Sequence, residues 1–310
     1  MTTEFGVLLM AYGSPATLDD VDAYFTHIRG GRPPSPEAVQ SLRARYRSIG
    51  GRSPLPEITR RQAAGAAEAL RRKGIRVRAY VGMKHAPPFI DRTVAQMAED
   101  GIRLAVGVAL APHYSKMSIG GYVSAAGAAA ADHGLLMRCI EDYHDHPGLV
   151  RALADRIETA RETLDGDPRV PVIFTAHSLP QRIMEWRDPY PDQLLRTCEL
   201  VASAAAIATW HFAFQSASHT GEPWLGPDVG EVLRDLHQRG AREVIVSPVG
   251  FVADHLEVLY DLDVEARATA EALGMRMIRA PSLNESPDFL EVLAEVTVAA
   301  IGDLRTDAVR

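Results

Sequence analysis

Two residue types that hold divalent metals lie far apart in the chain, each close to a predicted strand end. His177 follows the apolar run 170–176, and Glu257 comes shortly after the run 243–249. Imidazole and carboxylate suit a borderline metal such as Fe(II) or Zn(II). Two protein ligands leave coordination positions open, which favours catalysis or transient metal handling over a four-ligand structural site. We therefore predict a metal and catalytic role for His177 and Glu257, with His177 neutral at pH 7; a structural histidine is the competing interpretation.

Two further carboxylates extend this pattern. Glu257, Asp261 and Glu265 are spaced four residues apart within the predicted helix 255–273, so they share one face of an α-helix. An exposed acidic helix face is one interpretation. The other is a ladder of metal-binding carboxylates, whose inner end lies in a cleft and whose outer end meets water, suited to hydrated cations.

A basic cluster lies in the first half of the chain, in a Gly- and Pro-rich segment that we interpret as irregular. Its members are Arg29, Arg32, Arg43, Arg45, Tyr46, Arg47, Arg52 and Ser53. Guanidinium and hydroxyl groups bind carboxylates and phosphates well, although part of the cluster can be plain solvated surface. Tyr122 and Trp224 could supply flat apolar walls for a planar ligand.

Short apolar runs alternate with long amphipathic stretches, which predicts parallel sheets covered on both faces. The predicted strands are 5–11, 75–82, 103–111, 135–140, 170–176, 207–214, 243–249 and 275–280. The predicted helices are 54–73, 88–100, 115–132, 148–164, 191–206, 228–239, 255–273 and 286–301.

The two sets of strands indicate a degenerate duplication, since LMAYGSP at 9–15 resembles FTAHSLP at 174–180. We expect an α/β protein with two Rossmann-like lobes, 1–145 and 146–310, and a cleft between them; the last helix would pack back on the first lobe. Ligands bind beyond the carboxyl ends of parallel strands. This rule selects Tyr12, Lys84, His85, Pro112, His113, His177, Gln215 and Gly250.

The composition excludes several classes of protein. The chain has 310 residues, 46% of them hydrophobic and 24% charged, which is typical of a globular protein. A net charge of -7 argues against a general nucleic-acid binder. Two cysteines, Cys139 and Cys198, cannot form a four-thiolate zinc or iron–sulfur site. No apolar run suggests a membrane span, no signal peptide or nucleotide-binding glycine loop is evident, and we expect a cytoplasmic protein.

Eight segments in order along the chain resemble the ferrochelatase family. They are MAYGSP (10–15), RYRSIGGRSPL (45–55), YVGMKH (80–85), LAPHYS (110–115), FTAHSLP (174–180), DPYPDQL (188–194), EPWLGPD (222–228) and SPVGFVADHLEVLYDLD (247–263). The resemblance implies chelatase-like lobes that hold a porphyrin in the cleft, and insertion of Fe(II) into it during haem synthesis. The family's metal-site histidine and glutamate match His177 and Glu257, and its outer acidic positions match Asp261 and Glu265.

The start MAYGSP is similar to the monofunctional branch found in Gram-positive-type bacteria, which metallates coproporphyrin III. Within that branch, the residues that hold the substrate match Tyr12, Arg29, Arg45, Tyr46, Ser53 and Tyr122. The arginines suit the four propionates of coproporphyrin better than the two of protoporphyrin.

The resemblance also sets expectations for cofactors and partners. Fe(II) would be a substrate rather than a resident cofactor, and with two cysteines the chain would lack the [2Fe–2S] cluster of some relatives. We expect a monomer that makes transient contacts with other haem-pathway enzymes. The alternatives are a protoporphyrin IX ferrochelatase, a cobalt or nickel chelatase of the same architecture, and a porphyrin or haem carrier that does not catalyse insertion.

Overall fold

The computed structural model describes residues 3–218 and 221–307, and the chain divides into two compact units. Unit 1 runs up to Tyr143 and resumes at Asn284, whereas unit 2 is His144–Leu283. The first boundary lies two residues before the predicted one between 145 and 146. The final helix, α11, counts with unit 1, because it packs against a helix and two strands of that unit.

Unit 1 is built on a four-stranded parallel sheet with the strand order β2-β1-β3-β4. All seven residues of β1 are buried, as expected for a central parallel strand covered on both faces. The strands are β1 Phe5–Ala11, β2 Val77–Met83, β3 Leu104–Ala109 and β4 Leu136–Ile140.

Helices cover this sheet. The helices are α1 Val21–Ile28, α2 Pro36–Ser48, α3 Leu55–Arg72, α4 Ile90–Glu99, α5 Ile119–Asp132 and α11 Pro287–Asp307. Helices α4 and α5 pack together against the face of β1 that carries Leu8 and Met10. Helix α11 packs against α3, β3 and β4.

The segment 36–48 is helical, so our expectation of irregular structure around the basic cluster is wrong there. Ser35 caps α2, because its hydroxyl oxygen accepts a hydrogen bond from the Ala38 amide at 3.2 Å. Pro36 occupies the first helical position, where its missing N–H costs nothing. The segment is rich in Gly and Pro, which led us to interpret it as irregular, yet one of its prolines starts this helix.

Unit 2 has a second parallel sheet with the order β6-β5-β7-β8, the same relative order as in unit 1. This agreement supports the duplication and makes β5 the counterpart of β1. The strands are β5 Val172–His177, β6 Trp210–Gln215, β7 Glu243–Ser247 and β8 Arg276–Arg279. The helices before the third strand are α6 Pro147–Glu162, a 3₁₀ helix Gln181–Trp186, α7 Tyr190–Ala204 and α8 Val229–Gln238.

The prediction of one continuous α-helix over 255–273 is wrong, because this segment changes helix type twice. It consists of a short helix α9 (Leu256–Leu259), a π-helix (Asp261–Ala266) and α10 (Arg267–Ala272). The Glu265 amide donates to the Tyr260 oxygen at 3.0 Å, a five-residue step in place of four. Single π turns inside helices are frequently found at functional sites.

Of the helices in the described part of the chain, none is both long enough and apolar enough to cross a membrane.

Candidate functional site

His177 is the last residue of β5 and pairs with Gln215 of β6 in the strand register. The Tyr190 hydroxyl donates a hydrogen bond to the main-chain oxygen of His177 at 3.0 Å. The Nδ1 atom of His177 contacts the Ser178 carbonyl oxygen, so Nδ1 carries the hydrogen of that contact. The other ring nitrogen, Nε2, is therefore the one that meets Glu257.

The loop after β7 rests directly on the strand that carries His177. A Cβ atom at Gly250 would lie 2.5 Å from the Ala176 Cβ and 2.8 Å from the Ala176 Cα, closer than real contacts allow. The Gly250 amide also donates to the Thr175 oxygen at 3.1 Å. Glycine is needed here so that the loop leading to Glu257 can approach the strand end.

Glu257 lies in α9, and its carboxylate lies between two imidazoles. Its Oε1 is 3.5 Å from Nε2 of His177, and its Oε2 is 3.5 Å from Nε2 of His255. The structure thus brings together the two residues predicted from strand ends eighty positions apart. His255 was not predicted; its position two residues before Glu257 is the only sequence signal for it. The Trp224 ring lies 6.4 Å from that of His177, between ring centroids.

His177 and Glu257 form an ion pair. Burial alone would lower the pKa of His177, but the Glu257 charge and the hydrogen bonds of the ring outweigh burial and raise it to about 9. Burial would raise the pKa of Glu257, yet the two histidines hold it well below its usual range. Our expectation of a neutral His177 at pH 7 is therefore wrong while the ring is paired with Glu257. Nε2 must lose its proton before it can bind a metal.

The other two carboxylates differ in exposure. Asp261 is buried, with 5% of its surface exposed, and its carboxylate accepts a hydrogen bond from the Ser216 hydroxyl. Glu265 is exposed to solvent. Ser216 follows β6 with a positive φ of 63° and was not singled out by the sequence analysis. Within 3–218 and 221–307, no three His, Cys, Asp or Glu side chains form a metal-binding group.

Arg279 on β8 forms ion pairs with one residue before Glu257 and one after it. Arg279 Nε donates to Asp263 Oδ1 at 2.8 Å, and Arg279 Nη1 lies 3.2 Å from Asp254 Oδ1. The Ser282 hydroxyl adds a hydrogen bond to Asp254 at 2.7 Å. These contacts hold the start of the broken helix and its π turn against the sheet.

The predicted substrate-binding residues all lie in unit 1. Tyr12 follows β1, Arg29 ends α1, Arg45 and Tyr46 lie on α2, Ser53 precedes α3 and Tyr122 lies on α5. Their exposure differs, since Tyr12 is 39% exposed whereas Tyr46 is only 2% exposed. Ser53 accepts a hydrogen bond from the Leu55 amide at 3.2 Å. Their roles toward a substrate stay predictions.

Two residues after β2 link Tyr12 and Tyr122 through ring contacts. The Lys84 Nζ lies 5.1 Å from the centroid of the Tyr122 ring, and the His85 ring centroid lies 4.6 Å from that of Tyr12. His85 Nδ1 is 3.1 Å from Nδ1 of the exposed His27, which the sequence analysis missed. Burial, helped by Lys84 and His27, lowers the pKa of His85 to about 4, so this ring is neutral at pH 7.

Comparison with known proteins gives the family. A family model described as ferrochelatase matches residues 4–301, nearly the whole chain. The chain belongs to the ferrochelatase family. It is 42% identical to the coproporphyrin III ferrochelatase of Bacillus subtilis, over 96% of this chain and 98% of the relative. The coproporphyrin III ferrochelatase of Listeria innocua is also 42% identical, with the same shares covered. A ferrochelatase of Deinococcus radiodurans is 43% identical over 94% of each chain. The predicted family is confirmed.

Solved structures agree with this family in fold. SirB from Bacillus subtilis with Fe3+ superposes with a TM-score of 0.62 over 96% of each chain, at 11% identity. CbiX, described as the terminal enzyme for biosynthesis of siroheme in denitrifying bacteria, gives a TM-score of 0.56 at 18% identity, over 95% of this chain and 99% of CbiX. At such identities the likeness concerns the fold alone, and it confirms the predicted chelatase-like α/β class.

Proposed function

We propose that this protein inserts Fe(II) into coproporphyrin III, giving Fe-coproporphyrin III for haem synthesis. One observation carries the proposal: relatives named coproporphyrin III ferrochelatases are 42% identical over nearly the full length. The paired side chains of His177 and Glu257, 3.5 Å apart at a strand end, supply the kind of open metal site that such a reaction needs.

In this proposal His177 and Glu257 receive the iron, and Asp261 and Glu265 form the acidic approach to it. The imidazolium–carboxylate pair is net neutral before a metal binds. Fe(II) displaces the proton from Nε2 of His177, while Glu257 keeps its charge and offers an oxygen ligand. Asp261, which is buried and accepts a hydrogen bond from Ser216, contributes negative charge close to the pair.

The porphyrin loses protons as it gains the metal. Two pyrrole N–H groups must give up their protons, and the four central nitrogens then bind Fe(II), so two protons leave for each iron inserted. Distortion of the macrocycle, which exposes nitrogen lone pairs, draws on binding energy from remote parts of the substrate. We assign that binding to the predicted propionate contacts of unit 1, which are Arg29, Arg45, Tyr46, Ser53 and Tyr122; Tyr12 is a further predicted substrate contact.

The proposal treats Fe(II) as a substrate and includes no iron–sulfur cluster, because the chain has only two cysteines. A cytoplasmic location, a monomeric state and transient contacts with other haem-pathway enzymes are parts of the same proposal.

The test is an anaerobic insertion assay with Fe(II), run in parallel on coproporphyrin III and protoporphyrin IX. We expect the coproporphyrin to be metallated faster. His177→Ala should lower turnover by about 10²-fold or more, the usual scale for a residue that moves a proton in the reaction. Its porphyrin dissociation constant should stay near that of the wild type.

Each alternative corresponds to a different result. Faster turnover of protoporphyrin IX than of coproporphyrin III would identify the protein as a protoporphyrin IX ferrochelatase. Stoichiometric porphyrin binding without turnover would make it a carrier. Faster insertion of Co(II) or Ni(II) than of Fe(II) would identify the protein as a cobalt or nickel chelatase. Near-normal iron insertion by His177→Ala would remove the histidine from the reaction.

A further inference from the structure

Gln215 is a buried polar residue beside both predicted metal ligands. It is the last residue of β6, it pairs with His177 across the strands, and only 1% of its surface is exposed. The sequence analysis selected it for its strand-end position and gave it no role.

Hydrogen bonds connect Gln215 to the segments that carry both ligands. Its side-chain Nε2 donates to the main-chain oxygen of Glu257 at 2.8 Å. Its own main-chain oxygen accepts from the Ser178 amide at 2.8 Å, immediately after His177. A single residue therefore spans the strand end that presents the imidazole and the short helix that presents the carboxylate.

The amide group of Gln215 also lowers the stability of the folded state. Its Oε1 is buried and has no hydrogen-bond partner within the described residues. A buried acceptor without a partner destabilises the folded state, whereas an apolar side chain of similar size would avoid this cost. The amide is nevertheless oriented by its Nε2, since an oxygen in that place would repel the Glu257 carbonyl. The need for a donor at this point explains why a polar residue stands here.

The helix that carries Glu257 is short, and its buried Val258 packs in the apolar core of unit 2. Helix α9 has only four residues, and it passes through Tyr260 into the π-helix. Isolated helices this short are unstable in water, so tertiary contacts must set their orientation. Arg279 restrains the flanking residues Asp254 and Asp263, and the Gln215 amide contacts the main-chain oxygen of Glu257 itself.

We propose that Gln215 is a positioning residue for metal binding, whose amide holds the main chain of Glu257 so that its carboxylate faces His177. This inference rests on the proposed function, because it assigns the two ligands to the incoming metal. Partners behind metal ligands commonly change metal affinity or activity by about 10–100-fold when they are replaced.

The test uses Gln215→Met, which keeps the length of the side chain and removes the donor. Zn(II) serves as the probe, titrated calorimetrically into the full chain without porphyrin, and His177→Ala defines binding elsewhere on the protein. We expect the Zn(II) dissociation constant attributable to His177 to rise by about 10-fold or more. The KM for Fe(II) should rise in parallel, with an unchanged dissociation constant for coproporphyrin III.

The matched control is Thr197→Val. Thr197 is buried in unit 2 and donates a side-chain hydrogen bond to the His144 main-chain oxygen at 2.8 Å, so its loss costs stability in a comparable way. It should leave Zn(II) affinity and the KM for Fe(II) unchanged. Equal effects from both substitutions would reduce Gln215 to an ordinary structural contact and overturn the inference.

Gln215→Leu provides a second variant if the methionine variant does not fold. Its apolar side chain has no N–H to donate to the Glu257 oxygen and adds no charge, so Zn(II) affinity should fall again. Wild-type Zn(II) affinity in either folded variant contradicts the inference. If the wild type binds Zn(II) through His177 but inserts no iron, the proposed function fails while the positioning role stands.

Discussion

The charge of Glu257 should control the protonation of His177, and Glu257→Gln tests this directly. The substitution keeps the shape of the side chain and removes its negative charge. In the wild type, Glu257 Oε1 lies 3.5 Å from His177 Nε2, and the pKa of His177 is raised to about 9.

The size of the effect follows from the distance. Two unit charges 3.5 Å apart attract with about 5 kcal/mol at an effective dielectric constant of about 20. That energy corresponds to about 3.5 pKa units. Burial of His177 opposes the attraction and remains in the variant. We therefore expect the pKa of His177 to fall from about 9 to its ordinary value of about 6.5 or below.

The measurement is a histidine titration by NMR on protein labelled at the imidazole nitrogens. The chain has 11 histidines, so the signal of His177 is assigned by its loss in His177→Gln. In the wild type the ring should be charged at pH 7.5, and in Glu257→Gln it should be neutral.

Stability should change with pH in the same way. The His177 contribution is present in full below its unfolded pKa of about 6.5 and is lost as pH rises through about 9. The Glu257 contribution is present above its unfolded pKa of about 4.3 and is lost as pH falls through its lowered folded pKa. The wild type should therefore exceed Glu257→Gln in unfolding free energy most between about pH 4.5 and 6.5. The difference should shrink as pH rises from about 6.5 to about 9. A pKa of His177 that stays near 9 in the variant would refute the ion pair.

Two further substitutions test other parts of the structure. Arg45→Ala should weaken coproporphyrin III binding by about 10-fold or more, the scale of one charge-assisted hydrogen bond, whereas exposed Arg60→Ala on α3 should not; an unchanged dissociation constant removes Arg45 from the propionate contacts. Gly250→Ala should lower the unfolding free energy by about 1–3 kcal/mol in denaturant titrations, because its Cβ would overlap Ala176 next to His177. Wild-type stability in Gly250→Ala would mean that the loop can move away from β5.

The strands were the most predictable part of the fold. Strand β1 has the predicted bounds 5–11, and β5 is Val172–His177 against a predicted 170–176. Central parallel strands are buried on both faces, so they appear in the sequence as continuous apolar runs. The strand-end rule then brought His177 and Glu257 to one place without further information.

Features that depend on tertiary contacts were not predictable. The acidic residues after Glu257 have regular α-helical spacing, yet the chain forms a π turn whose Asp261 is held by Ser216 and whose Asp263 is held by Arg279. These partners lie on other elements and leave no local pattern. The charge of His177 was mispredicted for the same reason, since its pKa depends on a 3.5 Å distance that exists only after folding.

The charge of the His177–Glu257 pair bears on the order of events in the proposed reaction. With the imidazolium and carboxylate paired, the site is net neutral, and a divalent cation must displace a proton to enter. Once Fe(II) has replaced that proton, the pair and the metal together carry one additional positive charge. Asp261 is buried near the pair, and its negative charge offsets that increase where solvent cannot. In the proposed reaction Asp261 therefore stabilises the metal-bound pair more than the metal-free pair. Its removal should weaken metal binding and should also lower the pKa of His177, which the Asp261 charge helps to raise.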